Sequence, residues 1–149
     1  MRGIRRAVAA SLTIALSALG AVVGTGSNPV SAASVPAGFT DVSVGSFSSP
    51  TAVEWMPGDR IVVLEKGGRL RIGRPGSSSF ATAIDLDVCT NSEQGLLGFT
   101  HDPGFLTNRH VFVYYTARVG GGCVNRVSRL HLGTNDRIDP TSELILLDN

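Results

Sequence analysis

The sequence predicts an all-β fold of antiparallel strands, and three observations carry the prediction. After residue 40 no stretch shows the apolar spacing of an amphipathic helix. Short apolar and β-branched runs are instead broken every few positions by Gly, Pro, Asn and Asp, residues that favour turns. The runs also fall into two successive groups of about four, roughly 50 residues apart, a period within the range of propeller blades. A β-sandwich accounts for the same short strands and regular turns, so the period alone leaves both architectures open.

Residues 51–56 read as the first strand, and Pro57-Gly58-Asp59 as a turn. Residues 60–66 (RIVVLEK) form a β-branched strand, followed by Gly67-Gly68, a two-residue hairpin turn where positive φ is sterically cheap. The return strand, 69–72, places Leu70 and Ile72 on one face and Arg69 and Arg71 on the other. Residues 73–80 are a Ser/Gly/Pro loop. Residues 83–88 alternate Ile84, Leu86 and Val88 against Asp85 and Asp87. The second group opens with a short apolar strand over 95–100 and a turn at Asp102-Pro103-Gly104. Residues 110–117 (HVFVYYTA) are the strongest strand signal in the chain. A glycine-rich loop over 119–123 leads to strands at 125–132 and 144–147.

Composition bounds the function. The chain has 149 residues, the length of one domain or of a piece of a larger one. Lys and Arg number 13 against 12 Asp and Glu, and charged residues make up 17%. That is too little charge, with too much apolar content, for a disordered chain. It is also too weakly basic for a nucleic-acid binder.

The N-terminus has the pattern of a secretory signal peptide. Arg2, Arg5 and Arg6 precede an apolar run over 7–23, and Val30-Ser31-Ala32 offers the small residues a signal peptidase reads. Cleavage is expected after Ala32 or Ala33, leaving 33–149 as the mature domain. Ser11, Ser17 and Gly20 interrupt a run that is short for a membrane span, so no stable membrane anchor is expected. The Arg5-Arg6 pair hints at twin-Arg export, but the residues after it match poorly. Removing residues 1–32 takes away three Arg, leaving 10 basic and 12 acidic side chains and a net charge of −2. A slightly acidic surface suits neither DNA nor an anionic membrane. A secreted destination permits disulfides, and Cys89 and Cys123 are read as one bridge, with two buried free thiols as the alternative. Closing a loop of that length is worth roughly 3–4 kcal/mol. Two Cys without a CxxC or clustered His give no zinc ligand set.

Three ordered segments carry a resemblance. Pro50-Thr51-Ala52-Val53-Glu54-Trp55 is followed by Gly58-Asp59-Arg60 and Glu65-Lys66-Gly67-Gly68. Glu93-Gln94-Gly95-Leu96-Leu97-Gly98-Phe99 comes next, with Asp102-Pro103-Gly104-Phe105. Val111-Phe112-Val113-Tyr114-Tyr115-Thr116 and Asn125-Arg126-Val127-Ser128-Arg129 complete the set. Over residues 38–149 the chain resembles the N-terminal part of the soluble glucose/sorbosone dehydrogenase family, and its secreted bacterial members in particular. The resemblance implies a six-bladed β-propeller, of which this chain supplies about the first two blades. It implies oxidation of an aldose C1 hydroxyl to a lactone in the complete protein. The cofactor would be pyrroloquinoline quinone (PQQ), a planar tricarboxylate, with Ca²⁺ as Lewis acid and an external electron acceptor.

The site residues implied here are few. A Gln two places before Gly-Leu-Leu-Gly often contacts PQQ in the family; Glu93 stands there, with Gln94 one place later. A carboxylate facing an anionic quinone is repelled unless a cation neutralises it. Either Gln94 takes the role through a small shift or the cofactor is held differently; Glu93 and Gln94 are the candidate cofactor residues. The family's catalytic His, Ca²⁺ ligands and basic PQQ clamp are expected beyond Asn149, so the chain alone is expected to be inactive and not to bind PQQ or Ca²⁺.

The remaining candidates have simpler readings. His101, His110 and His131 read as surface or turn residues, and Asp85 and Asp87 as a solvated face. Trp55, Tyr114 and Tyr115 read as packing aromatics. Arg126 and Arg129, three apart in a strand, face opposite ways and form no clamp. Gly120-Gly121-Gly122 lacks the Lys-Ser/Thr and helix of a phosphate loop. Two rivals stand beside the enzyme. One is a non-catalytic propeller binding carbohydrate or protein, as in relatives of the hedgehog-interacting type. The other is a β-sandwich lectin using Trp55 and the tyrosines as its platform.

Overall fold

A computed structural model describes residues 35–149; the leader expected over 1–32 lies outside the described residues. The chain divides into two compact units, Met1–Phe39 and Thr40–Asn149. Of the first, residues 35–39 form a turn closed by the Phe39 N–H on the Pro36 carbonyl, 3.1 Å. The second unit holds eight strands and one helical turn. They are β1 (Pro50–Met56), β2 (Arg60–Glu65), β3 (Arg69–Gly73), β4 (Ala81–Asp85), β5 (Leu96–His101), α1 (Phe105–Asn108), β6 (His110–Val119), β7 (Gly122–Leu132) and β8 (Ile138–Asp148).

Each group of four is an antiparallel meander, in the order β1-β2-β3-β4 and β5-β6-β7-β8. Two successive up-and-down sheets are the arrangement of two propeller blades. Alternation decides which faces meet. Val62 and Leu64 of β2, with Leu70 and Ile72 of β3, face Val111, Val113, Tyr115 and Ala117 of β6 and Leu130 and Leu132 of β7. All are buried and form one core between the sheets. The opposite parity of β1 and β2 makes the first sheet's outer face, where Ile61, Val63 and Phe80 are buried under Phe47. The Phe47 and Phe80 rings meet edge to face at 4.9 Å. Val53 and Trp55, the cross-strand partners of Val63 and Ile61, are exposed on that face. On the second sheet's outer face Tyr114 is exposed opposite Val127, and Leu144 to Leu147 of edge strand β8 are exposed as well.

Several boundaries differ from the sequence expectation. The fourth strand ends at Asp85, not Val88. Its alternation continues, but the chain crosses to the second sheet, where Val88 bridges Ala117 and the Cys89 N–H bonds to the Thr116 carbonyl. The glycine-rich loop expected over 119–123 shrinks to a turn at Gly120-Gly121, because β6 and β7 pair to Val119 and Gly122. The last strand starts at Ile138 rather than 144. One helical turn, α1, appears where no helix was expected; burial of Phe105 holds it, not periodicity. Among the described residues no helix is long and apolar enough to cross a membrane.

The hairpin glycine is required for a tertiary reason as well as a local one. Gly68 has φ +107°, and a Cβ there would stand 2.1 Å from the Leu86 carbonyl oxygen. The same backbone accepts the Leu86 N–H at 3.0 Å, so this contact turns the chain out of the first sheet.

Candidate functional site

The strand ends form two rims. One carries the Lys66–Gly68 hairpin, the 86–95 connection and the Gly120-Gly121 turn. The other carries the 57–59 turn, residues 101–108 and the 133–137 turn.

At the first rim, Lys66 joins the two sheets. Its N–H donates to the Ser49 carbonyl at 2.9 Å, its carbonyl accepts the Leu96 N–H at 3.1 Å, and its ammonium donates to the Ser92 carbonyl. Gly95 passes so close that a Cβ would lie 2.7 Å from Lys66 Cγ and from its carbonyl oxygen. The Thr51 hydroxyl donates to the Leu96 carbonyl at 2.6 Å, a second strap between the sheets. Residues 91–95 therefore hang as a short loop from fixed points at both ends.

Glu93 and Gln94 occupy that loop and differ in surroundings. Glu93 is exposed. Gln94 is half-buried; its N–H donates to the Asn91 carbonyl at 2.9 Å, and its Oε1 is buried with no hydrogen-bond partner. Leaving a buried amide oxygen unpaired costs stability, so this atom is a candidate for a ligand contact. The Cys89–Cys123 disulfide, with Cα atoms 6.0 Å apart, ties the start of the loop to β7 beside the Gly120-Gly121 turn. Asp87 and Arg118 add a partly exposed ion pair at 3.2 Å.

Between this rim and the core lies a polar network that sequence reasoning missed. The Tyr115 hydroxyl and the Ser128 hydroxyl both donate to Glu143 Oε1, at 2.5 and 2.6 Å. Beside them Arg126 grips Asp148 with two bonds of 3.1 and 2.9 Å. The members lie up to 33 positions apart in the chain, and only strand pairing brings them together. Asp148 is held below the usual carboxylate range by the Arg126 hydrogen bond. Burial first, and the Glu143 hydrogen bond second, push the Tyr115 phenol above its ordinary value of 10.0. Because the raised group is an acid, the folded state holds its proton more tightly than the unfolded one. Its contribution is fully present below pH ~10 and is lost as pH rises through the folded pKa. Unfolding free energy is expected to fall as pH climbs beyond about 10, and Tyr115→Phe is expected to flatten that slope in denaturant titrations at stepped pH.

A second buried cluster backs the first sheet. Glu65, 1% exposed, accepts the Ser48 N–H at 2.9 Å and lies 2.7 Å from Arg69 and 3.4 Å from Arg71. Arg71 also donates to the Phe80 carbonyl, so these charges brace the outer face of the sheet.

The other rim gathers the remaining candidates. His101 is half-buried with its ring 6.0 Å from Phe105, and its Nδ1 is buried without a partner. His110 and His131 are cross-strand partners, with ring centroids 6.4 Å apart. The Asp102 carboxylate is lowered chiefly by Asn108 and then by the Gly104 N–H, a turn device. Asp136 receives Arg60 at 2.6 Å and Arg74 at 2.9 Å, with Arg109 at 3.9 Å. None of these residues comes to the Gln94 rim. Asp85 and Asp87 are exposed and form no carboxylate pair; among the described residues no three His, Cys, Asp or Glu side chains gather as a metal site. Trp55 and Tyr114 lie on outer sheet faces, and Tyr115 is in the core. Trp55, 62% exposed, lines an apolar groove of about 370 Å³ with Val42, Val44, Ile61 and the Pro75–Ser78 loop, away from the Gln94 rim. Arg126 and Arg129 point to opposite faces, as their spacing requires.

The model of the glucose/sorbosone dehydrogenase family matches residues 47–146. No curated protein sequence matches the chain. Among solved structures, an oxidoreductase described as a glucose dehydrogenase from Thermus thermophilus is 34% identical, with a TM-score of 0.59, over 71% of this chain and 30% of its own. The PQQ-bound aldose sugar dehydrogenase of Streptomyces coelicolor is 16% identical, with a TM-score of 0.61, over 70% of this chain and 31% of its own. The soluble aldose sugar dehydrogenase of Escherichia coli, in its apo form, is 20% identical, with a TM-score of 0.57, over 68% of this chain and 30% of its own. The last two bear on the fold alone. The chain thus spans about 30% of the length of the structures it matches.

Proposed function

This chain belongs to the glucose/sorbosone dehydrogenase family, and from that membership we propose that it forms the first two blades of a secreted, PQQ-dependent aldose dehydrogenase. In the complete protein the reaction is oxidation of a sugar C1 hydroxyl to a lactone, with electrons passed to an external acceptor. PQQ, when bound, supplies the two-electron acceptor for that oxidation.

The observation that carries the cofactor assignment is the unpartnered Gln94 amide at the rim where the two sheets meet. An amide offers both a donor and an acceptor, which suits a quinone bearing carboxylates and a ring N–H. Gln94 thereby takes the role that its neighbour Glu93 would hold by position. Glu93 stays in solvent and keeps its carboxylate away from an anionic ligand. The strapped loop, fixed by Lys66, Thr51 and the disulfide, orients Gln94 before any ligand arrives, which lowers the ordering cost of binding. For Ca²⁺ the described residues assemble no ligand set. Secretion is supported by the leader pattern of residues 1–32 and by a disulfide of the kind that persists in oxidising compartments.

The test is a dye-coupled assay of the complete protein with PQQ and Ca²⁺ over a panel of aldoses. PQQ-dependent dye reduction is the expected result. No turnover, together with no quinone absorbance on the purified protein, would retire the enzyme and leave a non-catalytic propeller that binds carbohydrate or protein.

A further inference from the structure

We propose that Lys66 is a cofactor-binding residue in its own right: its ammonium receives a carboxylate of the anionic quinone at the Gln94 loop. The inference rests on the cofactor reading above and adds the cation that this reading lacks.

Three observations converge on it. Lys66 is the only lysine in the chain. Seven of the described arginines are paired with a carboxylate, whereas Lys66 has no Asp or Glu oxygen within 4.0 Å among the described residues. The adjacent Glu65 is engaged by Arg69 and Arg71, so it does not neutralise its neighbour. The exposed ammonium thus makes a single hydrogen bond within the described residues, to the Ser92 carbonyl, and keeps two of its three protons unspent.

Its position gives that charge a use. Ser92 lies two residues before Gln94, and Gly95, packed on the Lys66 stem, lies one residue after it. The ammonium therefore touches the same short, strapped loop that carries the unpaired Gln94 oxygen. A lysine presents a compact charge to an anion. The carboxylate of a planar quinone would accept from Lys66, while Gln94 meets its ring heteroatoms.

Equilibrium binding of PQQ to the complete apoprotein, followed by quinone absorbance or protein fluorescence, tests this without turnover. Lys66→Met keeps the alkyl stem against Gly95 and removes the charge; it is expected to raise the PQQ Kd about tenfold. It should also flatten the weakening of affinity with added salt. Lys66→Arg should restore most of the affinity. Gln94→Ala should weaken binding without changing its salt dependence. Lys66→Met that binds PQQ as tightly as the parent, with the same salt response, overturns the proposal while the cofactor reading stands. A parent protein that binds no PQQ overturns both.

Discussion

Replacing Cys89 and Cys123 together by Ala is expected to lower the unfolding free energy of the complete protein by about 4 kcal/mol. The two sit 34 positions apart, and the chain-entropy account assigns that much to closing a loop of this length in the unfolded state. A denaturant titration of the double variant against the parent measures it. The folded rim has other fastenings: the Cys89 N–H on Thr116, the Val88–Ala117 bridge and the Arg118–Asp87 pair. The native loop should therefore keep its place once folded, and the loss should come from the unfolded side. A loss below about 1 kcal/mol would show that the unfolded chain is already restricted around these residues.

Phe105→Ala is the substitution expected to cost most among single side chains, roughly 3–5 kcal/mol by equilibrium unfolding. Phe105 is 1% exposed and joins the core between the sheets from the single helical turn. Its ring also supports the Arg109 guanidinium, 4.5 Å from the ring centroid. That guanidinium donates to the Leu132 and Gly133 carbonyls at 2.9 and 2.7 Å, so removing the ring loosens the end of β7. Phe105→Leu should recover more than half of the loss. Equal costs for the two would place the effect in the cation contact and not in the cavity.

The strands were legible because period-two alternation is local. Leu70 and Ile72 against Arg69 and Arg71 could be assigned to faces without knowing any partner, and the two sheets use them as expected. Alternation does not say which sheet a strand joins. Ile84, Leu86 and Val88 read as one strand, yet the chain leaves the first sheet after Asp85 and bridges the second at Val88. Helix α1 carries too few residues for a periodic signal and exists because Phe105 is buried. The candidate site was legible only as a motif. The sequence offered Glu93 and Gln94 as neighbours; side-chain environment separates them, with one exposed and the other carrying an unpaired buried oxygen. Lys66 stood in a hairpin motif and drew no functional assignment, because its approach to Ser92 and Gly95 depends on pairing between segments 26 or more positions apart. Being the only lysine was the one available cue.

Trp55 and Val53 on one sheet face, Tyr114 on another, and the exposed Leu144 to Leu147 run of edge strand β8 set a rule for any measurement on this polypeptide by itself. Such surfaces lower their free energy by meeting other copies, so mass action joins folding in every equilibrium reading. Melting curves would then shift with sample dilution, and variants can be ranked against one another only at matched molarity.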